Sequence, residues 1–408
     1  MKWLNLFSLL LFIGCKGTPV QEQEYNVEWR YDRTGIYSKE TGLLKAWPEG
    51  GPELLWHYDG LGEGHSSVAI TAEKIYATGL TDSTGYLYVF NHNGELLNKV
   101  MYGGEWTVDY PGSRATPTVN AGKIYVMSGT GNLVCLDESN LNIIWEKHIL
   151  EHFESTKVKW GISESPLIIG EMVIATPGGE EHNVVALDKN TGELIWSSGG
   201  VGDLSSFCSP LYIADQETPL IVNHTAEHIL GLEAATGNVL WSFEYKNKNS
   251  IQANTPIYAN SMILCTSLEM GSTLFRLSEG GRKAEIVWSV PELDNMMGAL
   301  VKVDDYIYGS SSGSRKNNSW YCVDWETGEI KYKEQDIAVG VTIFADGMLY
   351  CYTDKGDMML VNPTPEKFDL VSQFPITLGT DQHWAHPAIY QGVLYVRHGN
   401  TLMAYKVK

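Results

Sequence analysis

One unit recurs along this chain: an apolar strand, an acid, a short polar turn and an aromatic residue eight positions after the acid. It stands at Leu133–Trp145 (LVCLDESNLNIIW), Val184–Trp196 (VVALDKNTGELIW), Ile229–Trp241 (ILGLEAATGNVLW) and Trp320–Tyr332 (WYCVDWETGEIKY). The aromatics Trp145, Trp196, Trp241, Trp288 and Tyr332 follow one another at 51, 45, 47 and 44 residues, the period of one propeller blade. Each part has a local cause. The acid (Asp137, Asp188, Glu233, Asp324) accepts backbone N–H groups of the turn, and the glycine (Gly192, Gly237, Gly328) supplies a positive φ. The flanking β-branched alternation makes the whole a hairpin.

A second hairpin precedes each of these, as in ATPTVNAGKIYVMS and SPLIIGEMVIATP, so each unit is four strands, A to D, in meander order. The B strands contain Ile75, Ile124, Val173, Leu220, Ile263, Ile307, Leu349 and Leu394, which counts eight units. The last copy, His386–Lys408, stops after strand C. Its missing fourth strand is available at the front, in Pro52–Gly60, with Trp56 at the aromatic position. The expected fold is therefore all-β: an eight-bladed propeller of four-stranded antiparallel blades, closed by an N-terminal strand joining the C-terminal blade, which removes exposed edges.

The first residues read as sorting information. Lys2 precedes an apolar run from Trp3 to Ile13, too short to span a membrane, which ends at Gly14-Cys15. Phe12-Ile13-Gly14-Cys15 resembles the bacterial lipobox, with Phe12 where that motif usually has Leu, and the resemblance implies a lipidated Cys15. Residues 1–14 are thus expected as signal peptide, 15–28 as a lipidated tether and 29–408 as one propeller domain, on an outer-membrane lipoprotein of the bacterial envelope. The polar, Pro-containing stretch Lys16–Glu24 suits a tether. Cys135, Cys208, Cys265, Cys322 and Cys351 sit in strand-like or loop contexts without a C-x-x-C and are expected as buried, unbridged packing residues.

The L-D-x-x-T-G-x-x-x-W repeat resembles the pyrroloquinoline-quinone-type (PQQ-type) β-propeller repeat, whose members include quinoprotein dehydrogenases and the propeller lipoprotein of the outer-membrane β-barrel assembly machinery. The leader Trp29–Gly35, followed by Thr41–Pro52 and Gly62-Glu63-Gly64, looks like exported propellers of this type. The resemblance covers residues 29–408 and speaks to fold more than to function. Quinoprotein dehydrogenases are characterised by two adjacent cysteines over the quinone and a calcium held by acids and Asn. No Cys-Cys pair occurs in this sequence, which argues against PQQ as cofactor.

Twenty-nine Lys plus Arg against 49 Asp plus Glu give a net charge of −20, which opposes nucleic acid and anionic bilayer surfaces. His224-Thr225-Ala226-Glu227-His228 matches the zinc-protease pattern H-x-x-E-H, but falls between strands B and C of blade 4 rather than on a helix, so no metal is expected there. In an up-and-down blade the B–C loops and the D-to-A links share one face, and the residues just before strand A ring the channel mouth. The ligand-binding candidates on that face are Glu63, His65, Arg114, Trp160, Glu164, His182, His383, Trp384 and His386. Tryptophans stack on sugar or peptide faces while His, Glu and Arg fix orientation. The reading favours a binding or scaffolding module for an envelope protein or a small-molecule or carbohydrate ligand, not an enzyme. The alternative is an exported enzyme using the mouth pocket, on carbohydrate or as a quinone-dependent oxidoreductase, with a His and a carboxylate doing acid–base work.

Overall fold

The computed structural model describes residues 26–156, 159–297, 300–311 and 318–408. Among these, eight sheets form eight blades of four strands in the order A-B-C-D, consecutive in the chain in all but the last blade. Blade 4 illustrates the plan, with strands Leu211–Ile213, Leu220–His224, His228–Glu233 and Val239–Glu244 paired antiparallel throughout. The A strands of neighbouring blades touch, so they line the centre, while the D strands form the rim. All eight residues expected in B strands lie there. In blade 8, strands Ala388–Tyr390, Val393–His398 and Thr401–Lys406 are completed by Leu54–Tyr58, with Trp56 opposite Ala404, which closes the ring as expected. The five cysteines of the body are unbridged and buried.

The repeat motif does two jobs at once. Asp137, Asp188 and Asp324 each accept the backbone N–H groups two and three residues on, locking the C–D turn. The repeat tryptophan then reaches over the next blade. Trp145 Nε1 donates to Lys189 O at 3.0 Å, Trp196 to Ala234 O at 3.2 Å, Trp241 to Gly281 O at 3.1 Å and Trp288 to Trp325 O at 2.9 Å. Trp56, from the other end of the chain, repeats the bond across the closure, to His92 O at 3.0 Å. The turn glycine of the receiving blade lies directly under the ring: a Cβ on Gly237 would stand 2.4 Å from Trp196. That glycine therefore serves both its positive φ and the approach of the indole.

A segment outside the repeat occupies the centre. Asn26–Val27 add an antiparallel strand to the inner strand of blade 2 (Thr118–Asn120), and Ile36–Tyr37 add a parallel strand to that of blade 7 (Gly340–Ala345). Asn26 and Tyr37 both lie opposite residues beside the A–B turns, so the segment is a hairpin inserted from the A–B-turn face with its tip toward the mouth face. At the tip Arg30, Tyr31, Asp32 and Arg33 all have positive φ, between 46° and 63°. That conformation costs L-residues roughly 1–2 kcal/mol each. It is offset by bonds that tie three blades: Arg30 Nη2 donates to Leu300 O and Thr342 O, and Arg33 Nη2 to Ser165 O and Pro166 O. Glu28 pairs with Arg33 in a nearly solvent-free setting. Asn26–Glu28, within the stretch expected as tether, thus already belong to the channel. The signal sequence, Cys15 and most of the tether lie outside the described residues.

Candidate functional site

The mouth-side loops hold the sequence candidates in several separate groups. Trp384 stands 5.0 Å from the His65 ring and 5.1 Å from Tyr110, an aromatic cluster over blades 8, 1 and 2. Burial, then Arg397 and Arg114, hold the His65 pKa down to about 3, so His65 is neutral at physiological pH. Glu63 next to it bridges Leu80 through its backbone and leaves its carboxylate exposed. Arg114 is spent on its own loop, donating to Gly112 O at 2.8 Å and Tyr110 O at 2.6 Å.

His383 and His398 form a second group. Their rings stack at 3.6 Å, and Tyr352 OH lies 2.5 Å from His383 Nδ1. Burial, the neighbouring His398 and Lys355 bring His383 down to about 4. Trp160, with Lys159 Nζ 4.3 Å from its ring centre, faces Phe207 at 6.0 Å over blades 3 and 4. His182 lies farther out on blade 3, 2.7 Å from Ser197 Oγ; because that hydroxyl donates to Glu181 O, the imidazole Nδ1 carries the proton.

Glu164 and His386 are both buried at the mouth end of the channel. Glu164 accepts from Thr176 N at 3.0 Å through Oε2, while Oε1 has no hydrogen-bond partner among the described residues. Burial pushes its pKa up to about 8, against the pull of Thr176 and Arg33. His386 donates from Nε2 to Met297 O at 2.9 Å. Its ring meets Trp29 edge-on at 5.1 Å, and burial beside Arg30 holds its pKa well below the usual value. The hairpin tip is thus in contact with His386 through Trp29 and with the neighbourhood of Glu164 through Arg33. No direct contact joins these two candidates, and the general acid–base pair that the sequence suggests is not brought together as a hydrogen-bonded unit.

His224 and His228 end strand B and begin strand C of blade 4, a strand–turn–strand as read from the sequence. His224 is buried against Tyr245, and His228 Nδ1 lies 3.0 Å from Asp203. Among the described residues no group of three or more His, Cys, Asp or Glu is placed to hold a metal ion.

Sequence reasoning missed the central roles of Trp29, Arg30 and Arg33. The available signal was two arginines, Arg30 and Arg33, in a stretch that ends in Gly35 and lies outside the strand repeat. It also missed Arg397, buried between blades 8 and 1, which donates to Ser66 Oγ at 2.6 Å and Thr78 O at 2.7 Å. The cavities divide between the two faces. One of about 530 Å³ lies on the mouth side, beside Lys159, Asp203 and Phe207. A larger one, about 1230 Å³, opens on the opposite A–B-turn face between the limbs of the hairpin.

Known proteins share this architecture. The outer membrane protein assembly factor BamB of Yersinia pestis is 22% identical over 278 residues, covering 64% of this chain and 69% of that protein. An uncharacterized protein of Rickettsia conorii is 23% identical over 221 residues, and the chain spans about half the length of such curated relatives. Among solved structures, BamB from Moraxella catarrhalis superposes with a TM-score of 0.61 at 13% identity, covering 87% of this chain and 99% of that one. A europium-containing methanol dehydrogenase superposes with a TM-score of 0.69 at 12% identity, covering 91% and 90%. At such identities the superpositions establish the fold alone. A family model described as outer membrane protein assembly factor BamB matches residues 83–334, more than half of the sequence, and the chain belongs to that family.

Proposed function

We propose that this protein is a lipid-anchored scaffold of the bacterial envelope that binds another envelope protein through its B–C loops and D-to-A links. The observation that carries the reading is the state of the mouth. Trp160 and Trp384 are half-buried on its loops, whereas the buried proton-transfer groups Glu164 and His386 flank a channel filled by the chain's own Trp29 and Arg33. Half-exposed aromatics are the residues that anchor protein interfaces. Membership of the assembly-factor family agrees with this.

The orientation follows from the hairpin. Asn26 lies at the A–B-turn end of the channel, and eleven residue steps separate it from Cys15, a reach of at most about 40 Å. An anchor on Cys15 therefore holds the A–B-turn face toward the bilayer and leaves the mouth loops pointing away. Among the described residues no helix is long and apolar enough to cross a membrane, so lipidation is the attachment this reading needs. Quinone chemistry fits the residues poorly: the sequence has no adjacent cysteines, and Trp29 and the two arginines stand in the channel.

The test is native purification of the anchored protein with identification of what accompanies it. Trp160→Ala combined with Trp384→Ala should lose the accompanying protein while the fold is kept, and Cys15→Ser should release the chain from the membrane fraction. A substrate whose conversion collapses on Glu164→Gln or His386→Ala, with the fold preserved, would replace the scaffold by an enzyme.

A further inference from the structure

The hairpin covers the inner strands of blades 2 and 7, which flank blades 8 and 1 in the ring. Among the described residues, the inner strands of blades 8 and 1, Ala388–Tyr390 and Ala69–Ile70, end their sheets with nothing paired beyond them. They form one wall of the 1230 Å³ cavity, with Val68, Ile70, Ala388 and Ile389 among its apolar lining and the hairpin limbs on either side. An unpaired strand edge presents a row of N–H and C=O groups that templates another strand. The molecule uses this template twice already, on the inner edges of blades 2 and 7. The volume exceeds that of an ordinary small-ligand pocket, about 300–1,000 Å³, and suits an extended segment several residues long.

The charge at this site selects among peptides. Six carboxylates line the cavity against four cationic side chains, and groups of both signs are partly engaged: Glu28 pairs with Arg33, Glu40 accepts from Gln391 N and Gly392 N, Asp137 from its own turn and Glu138 from Tyr76. Arg30 donates to Leu300 and Thr342 carbonyls, Lys74 to Glu138 O, and Lys39 lies over the Tyr31 ring. Asp32 projects from the hairpin tip with its carboxyl exposed. Partial burial, then the nearby Glu28, disfavour its charged form despite Lys39, so a cation brought beside it would favour the carboxylate.

We propose that the cavity on the A–B-turn face receives an extended, lysine- or arginine-bearing segment of another protein, added as a strand to the free inner edge of blade 8. This site is independent of the mouth loops. The test uses the full chain and three end-blocked ten-residue peptides: alternating Lys and Val, alternating Glu and Val, and the Lys–Val peptide with a central proline. Calorimetric titration should show binding of the first alone, weakened about 3- to 10-fold by Asp32→Asn or Glu73→Gln and unchanged by Trp384→Ala. Amide exchange should slow at Ala388–Tyr390. Equal binding of the proline or Glu–Val peptide, or protection confined to outer D strands, would overturn the proposal. Tight binding that arises only after deletion of residues 16–25 would overturn it too, by assigning the cavity to the chain's own tether. Loss of the mouth partner with peptide binding intact would break the scaffold reading alone.

Discussion

The seams between blades and the channel at the centre are held by opposite means. At the seams, one device recurs: an indole with its N–H on a turn carbonyl of the next blade, from Trp145 through Trp288 and again at Trp56, and laid over a turn glycine of that blade at all of these but Trp241. In the channel, a segment that occurs once puts two buried guanidinium groups onto carbonyls of blades 3, 6 and 7. The seams rest on apolar burial, with the indole bond repeated at five of the eight. The channel rests on polar bonds in a strained, left-handed turn, and we expect the hairpin to undock more readily than the ring opens. The lesson is that ring stability and channel occupancy are separable properties of this fold.

The largest expected effect comes from breaking a seam. Trp196 is 8% exposed, and Trp196→Ala removes its burial and leaves a cavity against blade 4, at a cost of about 3–5 kcal/mol. Chemical denaturation measures it, and a loss below about 1 kcal/mol would mean that the seams do not carry the ring. Arg33→Leu tests the other side. It removes the Arg33 partner of Glu28 and of two carbonyls, a loss that could reach about 3–5 kcal/mol if the hairpin had to stay in place. With the segment free to undock in response, we expect about 1–3 kcal/mol, together with faster proteolysis and amide exchange confined to Trp29–Glu40. A loss equal to that of Trp196→Ala, with exchange rising in all blades, would erase the distinction.

The smallest effect sharpens the comparison through pH. Glu164, near the hairpin tip, has a folded pKa of about 8 against an ordinary 4.5, so between those values the native state holds a proton that the unfolded chain has lost. Its contribution is fully present below about pH 4.5 and is lost as pH rises toward 8. Glu164→Gln should therefore match the parent in acid and exceed it by about 1 kcal/mol or more at pH 8. Arg33→Leu removes a charge that favours the carboxylate and should steepen the parent's decline. Parallel stability–pH curves for parent and Glu164→Gln would show that this carboxyl is not held protonated.

What the sequence by itself determined is the part whose causes are local and repeated. An Asp, a Thr-Gly and a Trp eight residues on specify a hairpin and a seam through contacts made within one blade or with the next. Eight B strands, with Pro52–Gly60 supplying the missing last strand, count out the ring. The mouth face was legible as well, because meander order alone assigns every B–C loop and D-to-A link to one side. Only the tertiary structure decided what fills the centre and how the mouth candidates meet. Arg30 finds Thr342 across 312 positions of chain, and Trp29 finds His386 across the same channel. No local pattern announces such contacts: Trp29–Gly35 has neither the period of a strand nor that of a helix. Its left-handed turn is favourable only where carbonyls from several blades already converge on the guanidinium groups. That convergence is a property of the closed ring, not of any segment within it.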